Sequence, residues 1–306
     1  MSTKQINVFA PASIANLGPG FDVFGIALDG LGDTVRVEAV PEPRVTIEVS
    51  GVGADSVPDE AGSNSAGAVL QHVLEDDGLD HGFHISIEKG VPPGRGLGSS
   101  GASAAATARA VCSLLGRDLC SRELVELAAV GEGAVSGSPH ADNVSASLLG
   151  GFTIVGPDYD VVRMNPPEID IIVVTPDVHY ENKTRLARSL LPEKVSLYAA
   201  VNNVGNASRM VAAVALGDPV LFGRSICDQM IEPHRAGMIP GFWKVKQAAI
   251  DAGAHGCSIA GGGPSLFAVG PEPSAIGRAM AEAFAEAGVA SETLLTRPSD
   301  LGARVL

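Results

Sequence analysis

Long hydrophobic runs are missing from this 306-residue sequence: stretches such as Ile171 to Val174 fall far short of the roughly 18 residues a membrane span needs, so no segment reads as crossing a bilayer. Cysteine is scarce. Cys112, Cys120, Cys227 and Cys257 form no Cys-x-x-Cys pair and sit among apolar or small residues, the setting of buried free thiols rather than of zinc ligands or a disulfide framework. The seven histidines show no His-Glu-x-x-His spacing, and the closest pair, His81 and His84, stands at the approach to a strand, so no histidine-held metal is expected. Basic charge is short as well: 21 Lys and Arg against 35 Asp and Glu leave a net charge of −14. A nucleic-acid or anionic-membrane partner needs a positive surface to displace counterions, so neither is expected, and any anion site must be a local cluster of arginines or backbone N–H groups. Met1 to Phe9 has one lysine and no apolar h-region; it reads as the start of a strand rather than a signal peptide, and a cytoplasmic location is expected.

What remains is a globular composition, 45% hydrophobic and 18% charged, on a chain long enough for two domains. β-Branched runs with turn punctuation place strands at Gln5 to Ser13, Asp33 to Val40, Val45 to Ser50 and Phe83 to Glu88. Helices are expected over Asn64 to Glu75, over the Ala-rich Ser99 to Leu115, and over Ser121 to Val135 behind a Ser N-cap, with a strand returning at Gly150 to Val155. Pro157, Pro166 and Pro167 make Gly156 to Glu168 the best candidate boundary, dividing the chain into residues 1–162 and 163–306. The second part reads as a strand at Ile169 to Thr175, helices near Asn182 to Leu191, Lys194 to Leu216, Pro219 to Met230 and Pro240 to Ala252, strands around Cys257 and at Ser265 to Val269, a helix from Ser274 and a strand at Glu292 to Thr296. That is the order of a split βαβ unit.

The most informative stretch is Val91 to Ala106, VPPGRGLGSSGASAAA, where two prolines and spaced glycines lead directly into a helix. Glycines let a ligand approach the backbone, and a helix start offers unpaired N–H groups at the positive end of the macrodipole, so phosphate is the natural guest. The Walker pattern fails because Gly98-Ser99-Ser100 lacks its lysine. Gly96, Gly98 and Gly101 match a dinucleotide Gly-x-Gly-x-x-Gly, but five residues including Pro92 and Pro93 separate them from the strand that should precede them immediately. A plain glycine turn with a serine cap accounts for an isolated loop, though the pair Ser99-Ser100 is more than capping requires.

Pro93 to Ala102, PGRGLGSSGA, resembles the phosphate loop of the GHMP kinases. Ala10 to Asp29, APASIANLGPGFDVFGIALD, and Cys257 to Val269, CSIAGGGPSLFAV, resemble that superfamily's other two motifs, in the expected order. The N-terminal segment, together with Pro139 to Gly151 and Glu232 to Phe242, is most similar to the homoserine kinase branch, so the resemblance runs end to end. It implies an α+β kinase of two domains, the first like the second domain of ribosomal protein S5 and the second ferredoxin-like. ATP and Mg²⁺ would bind between them, and phosphate would pass to the hydroxyl of L-homoserine in threonine biosynthesis. A homodimer is implied in the same way. Sibling kinases acting on mevalonate, shikimate or pantoate, and a nucleotide-binding sensor without turnover, stand as the alternatives.

Carried over residue by residue, the resemblance makes Pro92, Pro93, Gly94, Arg95, Gly96, Leu97, Gly98, Ser99, Ser100, Gly101 and Ala102 the nucleotide loop, with Ser100 and Glu132 on the metal. Glu132, in GEGAVSG at the end of an apolar helix, suits a cation that takes one or two carboxylates plus phosphate oxygens. Asn16, Asp22, Asn143, Arg185 and Arg235 become the homoserine ligands, an arginine fork suiting the carboxylate and Asp22 the ammonium. Taken alone, either arginine reads as a solvated surface charge, and Asn16 and Asp22 read as turn residues beside glycine. His140, Asn143 and Arg235 are the expected catalytic residues, His140 serving equally well as a structural histidine. Relatives such as mevalonate kinase carry Asp where Asn143 stands and a lysine in the first strand, whereas Ile6 to Ser13 has none. Direct attack without a dedicated carboxylate base is therefore the expected mechanism, which a loose transition state tolerates. Gly262 departs from the Ser or Ala usual between the glycines of the third motif.

Overall fold

The computed structural model describes residues 5–137, 139–180 and 183–306. The first part runs β1 (Gln5–Ala15), β2 (Phe24–Val40), β3 (Val45–Gly51), α1 (Ser65–Asp76), β4 (Gly82–Lys89), α2 (Ser99–Leu115), α3 (Ser121–Ser136), α4 (Asp142–Leu149), β5 (Phe152–Val155) and β6 (Val161–Met164). The second runs β7 (Ile171–Pro176), α5 (Lys183–Ser189), α6 (Leu197–Leu216), α7 (Pro219–Arg224), α8 (Glu232–Arg235), α9 (Phe242–Asp251), β8 (Gly256–Ile259), β9 (Leu266–Val269), α10 (Pro273–Glu286), β10 (Ser291–Thr296) and β11 (Arg304–Val305).

The first sheet has the order β11-β1-β2-β4-β3, with β5 on β2 and β6 on β5; only β3 and β4 pair in parallel. Val35 and Val37 of β2, with Ile85 and Ile87 of β4, point into a core closed by the helices, while Arg36 faces water. That is the period-2 pattern of a sheet covered on one side. The Ala-rich α2 lies at the centre, packed against the sheet, α1, α3 and α4, and its residues Gly101–Ala108 are all buried. Small side chains on every face allow this crowding, so α2 enters the structure as a rigid post whose first turn carries the glycine-serine loop.

The second sheet is antiparallel in the order β10-β7-β9-β8. Its β7 explains the run IIVV: Ile172 and Val174 pack under α9 and α10 with Met280 and Phe284, while Ile171 and Val173 face the other way. There they join Ile14, Phe24 and Phe152 of the first sheet and Phe222 of α7 in one continuous core. The two sheets therefore share buried apolar area, and the cleft above it is framed by elements that cannot slide independently.

The α+β architecture expected from the sequence is present, with differences that have local causes. β2 begins at Phe24, nine residues earlier than the β-branched run suggested, because Asp29 and Gly30 disguise its middle as a turn. Cys120, not Ser121, caps α3, and its N–H donates to the Glu123 carboxylate at 2.8 Å. The helix expected over Pro219 to Met230 stops at Arg224, and a turn built around Asp228 follows. The expected start of a helix at Asn182, and residues Met1–Lys4 of the expected first strand, lie outside the described residues. A division at 162/163 falls inside β6, and the chain's end returns to the first sheet, β11 pairing with β1 and Pro298 bridging Leu28. Among the described residues no helix is long and apolar enough to cross a membrane.

Candidate active site

Between Val91 and Ser99 the chain crosses from β4 to α2 with Gly94, Gly96 and Gly98 at φ of 73°, 83° and 67°, a region L side chains rarely adopt. Two of these glycines are also required by space. A Cβ on Gly98 would meet Ser13 Oγ at 2.2 Å and Asn143 Oδ1 at 2.8 Å, and one on Gly96 would meet the Ala260 carbonyl at 2.3 Å. Gly98 closes α2 from its N-terminal side without a side-chain cap, so the first-turn N–H groups of Ser99, Ser100 and Gly101 have no intrahelical acceptor and open onto the cleft.

A buried ion pair fixes the base of this loop. Lys89, the last residue of β4, bonds Asp33 of β2 and donates to the Ser99 carbonyl and to Ser103 Oγ, both at 2.9 Å. The other Asp33 oxygen accepts the N–H groups of Gly90 and Val91 at 3.0 Å each. Both side chains are almost fully buried, so each charge needs the other and the strand exit is held to the helix start. The β1–β2 register shifts between Pro11 and Ser13, which frees the Ser13 N–H to donate to the Leu97 carbonyl at 3.1 Å. Asp33 and Lys89 do not stand out in the sequence because charges near strand ends are usually solvated, and Ser103 reads as one more small residue of the Ala-rich helix.

The loop residues divide by role. Ser100 bonds the carboxylate of Glu132 across from α3. Burial pushes the Glu132 carboxyl above its ordinary range, and the Ser100 bond, Lys183 and Lys89 oppose it. The Ser99 hydroxyl donates instead to the Val91 carbonyl at 2.8 Å, so only its N–H faces the cleft. Arg95 reaches the second part of the chain, its guanidinium donating to the carbonyls of Pro176 at 2.9 Å and Val178 at 3.4 Å. Its own carbonyl accepts from Ser265 Oγ at 2.6 Å. Pro92 and Pro93 form the loop's outer approach, Pro93 lying against Gly53, and Leu97 and Ala102 are buried under it.

At the other end of the cleft, residues 16–22 form a tight loop in which Asn16, Leu17 and Asp22 all have positive φ. Each such residue costs about 1–3 kcal/mol and persists only where surrounding contacts hold it. Asn16 supplies the contacts: its Nδ2 donates to the Gly261 carbonyl at 2.8 Å and its Oδ1 accepts the Asp22 N–H at 2.9 Å. Asn16 is therefore a pin between the first and third motifs more than a free ligand. Asp22 receives two parallel bonds of 2.9 Å from Arg188. Arg188 and the buried Arg235 stand on Phe21, their guanidinium carbons 5.3 and 5.1 Å from the ring centroid. Arg235 is steadied by the carbonyls of Ala187 at 3.2 Å and Gly261 at 3.4 Å. Arg185 lies exposed on α5, and it is Arg188 of the same helix that pairs with Asp22.

His140 lies with Nε2 against Arg188 and Nδ1 3.7 Å from Asp22. Burial lowers its pKa, with Asp22 opposing and Arg188 and Arg235 assisting, so the ring is neutral and accepts from Arg188. Asn143 takes a 3.0 Å bond from Ser13 Oγ at its Oδ1 and backs onto Gly98 and Gly101. Its neighbour Asp142 was not singled out in the sequence. Burial raises this carboxyl to about 7, Asp22 and Glu132 adding repulsion while the Asn143 N–H opposes. Lys183, also missed, donates from Nζ to the Gly263 carbonyl at 2.7 Å. Burial and Arg235 bring it down to about 8, and Glu132 opposes them.

No cluster of three or more His, Cys, Asp or Glu suited to a metal occurs among the described residues. A hydroxyl and one carboxylate, Ser100 and Glu132, match a hard cation completed by phosphate oxygens and water. The site thus has a glycine-walled helix start at one end and two arginines with an acid at the other.

Comparison with known proteins places the chain in a family. Residues 64–151 match the GHMP kinases N terminal domain and residues 210–289 match GHMP kinases C terminal. A homoserine kinase of Natronomonas pharaonis is 43% identical over 95% of this chain and 97% of its own. One from Pyrococcus abyssi is 42% identical over 95% and 96%. The crystal structure of homoserine kinase from Cytophaga hutchinsonii superposes with a TM-score of 0.90 at 38% identity, covering 100% of this chain and 98% of the other. The chain belongs to the GHMP kinases, within their homoserine kinase family.

Proposed function

We propose that the protein transfers the γ-phosphoryl group of ATP to the side-chain hydroxyl of L-homoserine, giving O-phospho-L-homoserine and ADP for threonine biosynthesis. The observation that carries this reading is the pairing, in one cleft, of a glycine-walled helix start with Arg188, Arg235 and Asp22. The α2 N–H groups and the loop backbone hold the β- and γ-phosphates. Ser100 and Glu132 would hold Mg²⁺, which would neutralise charge on the phosphates. Arg235 and Arg188 bind the acceptor's carboxylate, for which an arginine fork is matched. Asp22 receives its ammonium while still paired to Arg188.

The acceptor oxygen forms its bond to the γ-phosphorus as the bond to the β–γ bridging oxygen breaks, and the electron pair leaves on ADP. The hydroxyl proton passes to the transferred phosphoryl group or to solvent. Asn143, fixed by Ser13 against Gly98, orients the hydroxyl. Asp142 is the nearby carboxyl with a pKa near neutrality, but its Oδ1 accepts the Asn143 N–H at 2.8 Å, which assigns it to the start of α4. An Asp142→Asn variant is therefore expected to keep kcat within about tenfold of wild type; a general base would cost roughly 10²–10⁴-fold, and a loss on that scale would move the proton to Asp142.

ADP release measured with homoserine, mevalonate, shikimate and pantoate in parallel tests the acceptor. Turnover with homoserine alone is expected. Faster turnover with one of the others would overturn the substrate, and nucleotide binding with no turnover on any would overturn the kinase reading.

A further inference from the structure

We propose that Lys183 is a further catalytic residue, whose ammonium reaches from the second domain to bind the γ-phosphate of ATP and stays on the phosphoryl group as it is transferred. The inference rests on the kinase reading above and adds a group to it.

Position makes the case. Lys183 Nζ hangs on the carbonyl of Gly263 at 2.7 Å, and that carbonyl presses on the phosphate loop, since a Cβ on Gly96 would lie 2.8 Å from it. The lysine thus borders the loop backbone that cradles phosphate, although α5 belongs to the other half of the chain. Its charged neighbours locate it along the cleft as well: Glu132, bonded to Ser100, attracts it and Arg235 repels it. An ammonium that feels both Glu132 and Arg235 and borders the phosphate loop through Gly263 is placed to meet the phosphoryl group in transfer. An ammonium has three N–H donors; Gly263 takes one, and two remain for phosphate oxygens.

Two further features agree. The other lysine close to Glu132, Lys89, is committed to Asp33, Ser99 and Ser103, and β1 offers no lysine at all. The middle residue of the third motif is Gly262, and a Cβ there would lie 3.6 Å from Lys183 Nζ and 3.8 Å from Ala187 Cβ. Those are ordinary contact distances, so the lysine lies directly against the middle of the third motif. Preorganised cations aimed at charge in transfer act on the transition state as well as on the bound triphosphate, so the lysine's effect belongs both in kcat and in affinity for the γ-phosphate.

Lys183→Gln keeps a donor for the Gly263 carbonyl and removes the charge; Lys183→Arg keeps the charge. For Lys183→Gln, kcat is expected to fall roughly 10- to 100-fold. Affinity for a non-hydrolysable ATP analogue, measured by calorimetry without acceptor, is expected to fall about tenfold while ADP affinity stays at the wild-type value. Lys183→Arg is expected to recover most of the analogue's affinity. Equal losses for ADP and the analogue, or no loss for either, would reduce Lys183 to a strut under Gly263 and overturn the proposal. A wild-type protein inactive on homoserine that still prefers the analogue to ADP through Lys183 would overturn the substrate reading and leave this inference standing.

Discussion

Glu132→Gln is expected to lower kcat by roughly 10²–10³-fold, the scale of losing one preorganised charge-stabilising group, with little change in the unfolding midpoint. The substitution keeps the side chain's volume and leaves an amide oxygen for the Ser100 hydroxyl, so α3 and the start of α2 remain joined. What it removes is a negative charge that burial already opposes and that Ser100, Lys183 and Lys89 hold in place. A structural carboxylate in that setting gains little from its charge, because desolvation offsets the attraction of its partners. A carboxylate retained there to neutralise a divalent cation gains a great deal. Activity of the variant should also need more Mg²⁺ for half-maximal rate. A kcat and Mg²⁺ requirement equal to those of wild type would remove Glu132 from the metal site.

Arg235→Leu is expected to raise the homoserine KM roughly 100-fold, about 2.7 kcal/mol at 25 °C, the range for removing one partner of a desolvated charge-assisted contact. Its effect on kcat should be smaller, since the lost contact exists both before and during transfer. Arg235 suits this role because its shape is set before substrate arrives: Nε is fixed on Ala187, Nη1 on Gly261, and the plane rests on Phe21. Arg185→Leu provides the contrast, the same change of residue on an exposed face of α5, and is expected to leave homoserine KM at the wild-type value. An unchanged KM in Arg235→Leu would detach the carboxylate from Arg235. A raised KM in Arg185→Leu would restore the assignment the sequence suggested.

That assignment shows where sequence reading reaches its limit. The phosphate loop was legible because its chemistry is local: glycines needed for positive φ, serines and a helix start stand within a dozen residues. Glu132 stood out because it is the lone carboxylate among the small and apolar residues that end α3. Arg185 and Arg188 share a seven-residue helix, and nothing within it says which of them faces the cleft. Asp22 decides, from 166 positions away, by its two bonds to Arg188. Arg95 shows the opposite case: it stands inside the loop by sequence, yet its long side chain reaches the carbonyls of Pro176 and Val178. Lys183 and the Asp33–Lys89 pair look like solvated charges in the sequence; α2 covers the pair, and Gly263 from the third motif receives the lysine. Among the elements, α4 and β6 are too short to show a period, and β11 has only two residues. The ordinary parts of the fold followed from pattern, and the parts that make the site followed from contacts distant in sequence.

Following the radiolabelled γ-phosphate of ATP onto homoserine tests the central claim most directly, with the wild-type protein, Mg²⁺ and both substrates present. Label recovered in O-phospho-L-homoserine, in one-to-one proportion with ADP, is the predicted result. Label released as inorganic phosphate at the same rate with and without homoserine would contradict it.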